Sequence, residues 1–183
     1  VERLCEFWRR MERNPAWGFP GAWPGFHDMV SYWSTVLGGI PAFFRPNLLA
    51  YWGVHHPLGP DRAGYYSTAP LETTLLELVD FAKVNRCSPR LTVGAAHVRT
   101  SRMRYFDSRT SELGVKHVMA SGALPPAFPA VRIDGELYWD GGILSNTPVE
   151  AVFDDKPRRN SVVFGTHILN PQGPEPDTIW QVM

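Results

Sequence analysis

Only two cysteines occur in the 183 residues, Cys5 and Cys87. They lie far apart and match neither a zinc pattern nor a disulfide framework, so reduced, partly buried thiols are expected. Net charge is also missing, because eighteen basic and eighteen acidic side chains cancel. That removes the electrostatic basis for binding nucleic acid. No apolar run is long enough to span a bilayer and no signal segment is visible, with a cytoplasmic location as the default expectation. Internal repeats and low-complexity tracts are lacking as well. What is present, 44% hydrophobic and 20% charged residues, suits a folded globular chain rather than a disordered one. The length suits one ordinary domain, or most of one, with a sizeable core.

Strong patterning begins at the first residue. Val1, Leu4, Cys5, Trp8 and Met11 recur at helical spacing with charged residues between them, which predicts an amphipathic helix ended by Asn14-Pro15. Ala16 to Gly25 is thick with Gly, Pro and Trp and reads as loop. Phe26, Met29, Val30, Trp33 and Leu37 mark a second helix stopped by Gly38-Gly39. Ten of the 23 aromatic residues fall between Trp17 and Trp52. They describe either a small, irregular, ring-filled core or a wall for an apolar ligand. His55-His56 follow without a carboxylate or Cys at ligand spacing, which favours exposed loop histidines over a metal site. Val1 already lies inside a helical pattern and Thr178 to Met183 open another, so the chain is expected to be cut from something longer at both ends.

Thr68-Ala69-Pro70 opens the clearest helix, with Leu71, Leu75, Leu78, Val79 and Ala82 on one face and a stop at Cys87-Ser88-Pro89. Leu91 to Arg99 reads as a strand with small or apolar groups on both faces, hence central in a sheet. Thr100-Ser101 turn it back into Met103 to Phe106. His97 invites a general-base reading, but a hydrogen-bonded core histidine is the simpler one. A short helix is expected from Leu113 to Met119, ending near Ser121-Gly122, and another buried strand from Ser161 to Leu169. Strands alternating with helices point to a layered α/β domain.

The richest stretch runs from Val131 to Glu150. Val131 to Ile133 and Glu136 to Trp139 read as a hairpin around Asp134-Gly135. The return strand delivers one carboxylate, Asp140, at its tip and follows it with Gly141 and Gly142. Paired glycines allow positive φ and leave no Cβ to fend off another backbone or a ligand. Thr147-Pro148-Val149-Glu150 then carries the marks of a capped helix start. An acid in a glycine clearing between firm elements is how a functional carboxylate is commonly mounted, although Asp-Gly-Gly also makes a plain Asx turn.

Taken together, Val118-Met119-Ala120-Ser121-Gly122-Ala123-Leu124-Pro125-Pro126, Tyr138-Trp139-Asp140-Gly141-Gly142 and Ser145-Asn146-Thr147-Pro148 resemble the C-terminal catalytic segment of patatin-like phospholipases. The resemblance covers Thr68 to Asn170 best. It implies a three-layer α/β/α fold, here truncated at both ends. Residues 1–67 would be helices and an aromatic cap region, 68–170 the sheet core with the catalytic Asp, and 171–183 the start of a further region. It implies a lipid acyl hydrolase working through a Ser–Asp dyad without a cofactor or metal, on a lipid or other acyl-ester substrate, with peripheral membrane contact. Asp140 would be the base, in the active-site turn with Gly141 and Gly142. The family's Gly-x-Ser-x-Gly elbow and glycine-rich oxyanion loop occur nowhere in the 183 residues. Ser121 and Ser145 lie in no such elbow and read as capping or backbone-bonding hydroxyls. A lipid- or acyl-binding module without catalysis is the alternative, and a structural remnant a weaker one.

Overall fold

A computed structural model of the chain describes residues 1–12, 26–53, 55–86, 88–157 and 160–166. Its centre is a four-stranded sheet in the order β4-β3-β6-β5, antiparallel at every pairing. Chain order runs α1 (Glu2–Met11), α2 (Phe26–Gly38), β1 (Arg45–Pro46), β2 (Tyr66–Ser67), α3 (Ala69–Leu78), α4 (Phe81–Val84), β3 (Thr92–His97), β4 (Arg102–Asp107), α5 (Val115–Ser121), β5 (Val131–Ile133) and β6 (Glu136–Asp140). β1 and β2 form a separate antiparallel pair. Val1–Asn146 forms one compact unit and Thr147–Met183 a second, which holds the one-turn helix α6 (Glu150–Phe153).

Both expected hairpins form. β3 and β4 pair from Thr92↔Asp107 to His97↔Arg102. β5 and β6 meet around Asp134 and Gly135, whose φ values of 49° and 85° are those of a two-residue primed turn. Because side chains alternate across a strand, Val93 and Ala95 of β3, Phe106 of β4, Ile133 of β5 and Tyr138 of β6 share one face. They bury it with Leu113 and with Ala120 of α5, which lies across β3, β5 and β6. Rings line up there edge to face, His97 on Tyr138, Tyr138 on Phe106 and Phe106 on His117, with centroids 4.7–5.3 Å apart. Asn85 clamps this core from outside. Its amide donates to the Leu113 carbonyl at 2.9 Å and its oxygen accepts the Leu113 N–H at 2.8 Å.

β4 ends in a charged knot. Asp107 is buried and accepts from Arg90 Nε at 2.7 Å, Thr92 Oγ1 at 2.8 Å and the Arg109 N–H at 2.8 Å. The Arg90 guanidinium outweighs desolvation and holds this carboxyl well below the usual carboxylate range.

Several elements depart from their sequence patterns. α1 forms, but its expected apolar face points outward, with Leu4 and Trp8 exposed and Cys5 exposed rather than partly buried. The helix docks instead through Arg3, Phe7 and Arg10. Arg3 donates to the Leu78 carbonyl, Arg10 pairs with Glu77 at 2.6 Å, and Phe7 packs beside Leu71, Leu75 and Met119. These positions are also on one helical face, so periodicity alone could not choose between the two stripes. α2 spans its expected range, yet Met29, Trp33 and Leu37 are exposed. α3 stops at Val79, because Asp80 caps α4 through the Lys83 N–H at 3.1 Å. The strand expected from Ser161 to Leu169 is absent over 161–166, where the backbone has no regular structure and Val162 and Phe164 are exposed. A strand needs a ladder of hydrogen bonds to a neighbouring strand, and 161–166 joins neither of the sheets among the described residues. α6 starts at Glu150 without the expected side-chain cap from Thr147. Cys87, the loop expected over Ala16–Gly25, 167–170 and the helix expected from Thr178 to Met183 lie outside the described residues.

Candidate active site

β6 is an inner strand between β3 and β5, and Asp140 is its last residue, opposite Ala95. The Asp140 N–H donates to the Ala123 carbonyl at 3.0 Å, tying the strand end to the chain leaving α5. From there the backbone tightens into a 3₁₀ turn, Gly141–Ile143, and Asp140 Oδ1 accepts the Gly142 N–H at 2.7 Å. The Asx-turn geometry is thus present. It uses one carboxylate oxygen. No other hydrogen bond and no ion pair reaches Asp140 among the described residues, so Oδ2 is uncommitted on a half-buried side chain.

The glycines serve this site in one of the two expected ways. Neither Gly141 nor Gly142 has positive φ. The missing Cβ is what matters. A methyl on Gly141 would lie 2.8 Å from the Gly94 carbonyl oxygen of β3, and one on Gly142 would lie 3.1 Å from Asp140 Oδ1. Gly141 therefore lets the turn lie flat on β3, while Gly142 leaves the carboxylate room.

Ser121 at the end of α5 and Ser145 beyond the 3₁₀ turn are both half-buried, and neither hydroxyl is hydrogen bonded to Asp140. His97 is held as a core histidine. Its Nδ1 accepts the Thr100 N–H at 3.2 Å and lies 2.9 Å from Thr100 Oγ1, so Nε2 carries the proton and donates to Glu136 at 3.2 Å. That relay ties the β3–β4 turn to the start of β6, and sequence spacing gave no hint that Glu136 would complete it. His55 and His56 are exposed, and no cluster of three metal-binding side chains occurs among the described residues.

Among the described residues of the first unit, three of the clefts stand out. One of about 280 Å³ lies among Ala50, His56, Leu58, Tyr65 and Pro126. One of about 410 Å³, with both charged and apolar walls, lies among Asp61, Glu72, Lys116, Met119, Val131 and Arg132. An apolar one of about 630 Å³ lies between α1 and the Ile40–Phe43 turn. Asp140 lines none of the three.

An α/β domain that ends an inner strand in an uncommitted carboxylate has the makings of an acid–base site. The family model described as Patatin-like phospholipase matches residues 2–153, and the chain belongs to that family. Its mixture of helices and sheet is consistent with the α/β patatin-like fold. Members are typically phospholipases and esterases, which makes lipid the substrate class that membership implies. No curated protein and no solved structure matches the chain.

Proposed function

We propose that the chain supplies the base of a lipid acyl hydrolase, Asp140, to a serine nucleophile carried outside these 183 residues. A serine hydroxyl is a poor nucleophile until a positioned base takes its proton. Asp140 Oδ2 accepts that proton as the serine oxygen attacks the ester carbonyl. The carboxyl returns that proton to the departing alkoxide, so an alcohol leaves and an acyl-enzyme remains. The carboxylate then takes a proton from the attacking water and hands it to the serine oxygen as the free acid is released. A free Asp, with a pKa of about 3.9, is a weak base at neutral pH. Holding Oδ2 within hydrogen-bond reach of the hydroxyl is what lets so weak a base share its proton in the transition state. Gly141 and Gly142 act through the backbone, one setting the turn on β3 and the other orienting Oδ1. No metal or organic cofactor is required, and the chain by itself is inactive on this reading. A lipid substrate also calls for peripheral contact with a membrane or lipid aggregate.

One observation carries the proposal: a carboxylate fixed by one oxygen and free at the other, at the tip of an inner strand. The test is Asp140→Asn in the intact protein, assayed on a short-chain nitrophenyl ester. Turnover should fall by about 10⁴-fold or more, as for loss of other members of catalytic units. Wild-type turnover in the variant would remove Asp140 from the role of base. The lack of Gly-x-Ser-x-Gly within the chain favours a second reading, a lipid- or acyl-binding module without catalysis. An intact protein that carries no such elbow and binds, but does not hydrolyse, an acyl ester would establish it.

A further inference from the structure

The 3₁₀ helix Leu48–Trp52 presents more apolar surface than its fold requires. With three residues per turn, a 3₁₀ helix has three ridges. One ridge holds Ala50, which is buried. The other two, Leu48 with Tyr51 and Leu49 with Trp52, face solvent, and Leu48 is 75% and Trp52 80% exposed. Two leucines and two amphipathic rings side by side form a contiguous patch of the kind that marks an interaction surface.

This patch stands on a built support. Asn47, just before the helix, donates its N–H to the Tyr65 carbonyl at 2.8 Å. Its side-chain amide donates to the carbonyls of Arg62 and Gly64 at 3.1 and 2.9 Å. Gly64 packs so closely on Phe128 and Pro129 that a Cβ there would lie 2.7 Å from the Pro129 nitrogen. The N–H groups of Tyr65 and Tyr66 donate to the Pro126 and Ala127 carbonyls. Ala123, in the same connecting segment, receives the Asp140 N–H.

The surrounding charge selects the partner. The helix carries no acid. Exposed Arg45 and Arg62 flank it in the chain without an ion pair among the described residues, and the nearby Asp61 is taken up by Arg132 at 3.2 Å. Trp and Tyr rings settle at the headgroup level of a bilayer, leucines reach the acyl boundary, and arginines favour anionic headgroups.

We infer that Leu48–Trp52 is the element by which this protein seats on an anionic lipid surface, with Leu48, Leu49, Tyr51 and Trp52 entering the interface and Arg45 and Arg62 facing the headgroups. The inference rests on the lipid-substrate reading for its choice of partner, not on Asp140 as base. The experiment is co-sedimentation of the intact protein with phosphatidylcholine vesicles, with and without phosphatidylserine. Wild type should bind, and more tightly when phosphatidylserine is present. Leu48→Ser/Trp52→Ala should weaken binding by at least about tenfold, given the transfer free energy of two large apolar side chains. Its circular dichroism and its turnover of a soluble nitrophenyl ester should be unchanged. Arg45→Gln/Arg62→Gln should lose the phosphatidylserine preference. Asp140→Asn should bind vesicles like wild type, so failure of the dyad leaves this test intact. Wild-type protein that ignores both vesicles, or a double variant that binds as well as wild type, would overturn the inference, the first pointing to a protein partner instead.

Discussion

Gly141→Ala isolates the packing that holds the candidate base in place. Because Gly141 has no positive φ, the substitution brings no backbone strain, and stiffening of the unfolded chain would by itself stabilise by about 0.4–1 kcal/mol. Against that stands a methyl 2.8 Å from the Gly94 carbonyl oxygen, 3.0 Å from its carbon and 3.1 Å from Met103 Cε. Met103 can swing aside, but the Gly94 carbonyl belongs to β3, the inner strand paired on both sides. Overpacking of this kind costs about 1–3 kcal/mol, leaving a net loss of about 1–2 kcal/mol. For a chain of this size that lowers Tm by about 2–8 °C. Gly142→Ala is the internal comparison, because its methyl meets only the Asp140 carboxylate at 3.1 Å and looser contacts at 3.7 Å. It should keep stability within about 0.5 kcal/mol of wild type while moving Oδ1 and depressing turnover of the intact enzyme. Urea titrations of the three proteins, read as midpoint shifts at constant slope, make the comparison. Equal midpoints for Gly141→Ala and wild type would refute the close approach of the turn to β3.

Other perturbations test other parts of the structure. Asp107→Asn should cost about 2 kcal/mol at neutral pH by weakening charge-assisted hydrogen bonds to Arg90, Thr92 and Arg109. The Asp107 carboxyl is depressed in the folded state, so its stabilisation is complete above the unfolded value of about 3.9 and is lost as pH falls below it. Acid unfolding curves of the variant should therefore lack that part of the decline. Leu113→Ala, at a side chain only 1% exposed in the α5-side core, should cost about 2–5 kcal/mol in chemical denaturation. Asn85→Ala should destabilise by about 1–3 kcal/mol in the same assay, since it strips both peptide groups of Leu113 of their partner.

The hairpins, α3, α5 and the position of Asp140 were legible because local chemistry and tertiary packing agree there. Asp134-Gly135 demands its turn, and the small residues of β3 suit a strand flanked on both sides. Disagreement appears where the partner decides. α1 carries two stripes, and Arg3, Phe7 and Arg10 win over Leu4 and Trp8 because α3 offers a carbonyl, a carboxylate and an apolar groove to them. The segment from Ser161 to Thr166 has a strand composition but joins neither of the sheets among the described residues. At the site, the sequence located the acid and the need for residues without a Cβ beside it, while the torsional freedom it also suggested is not used. The knot at Asp107 joins residues seventeen apart, and no periodicity reports such a pairing.

The connecting segment from Ala123 to Pro129 behaves as a beam supported at both ends. One support is the pair of hydrogen bonds from Tyr65 and Tyr66, and the other is the bond from Asp140. Removing the first would leave the strand tip moored to a span that can swing. Damage around Gly64, far along the chain from the acid, would then surface as slack at the candidate base.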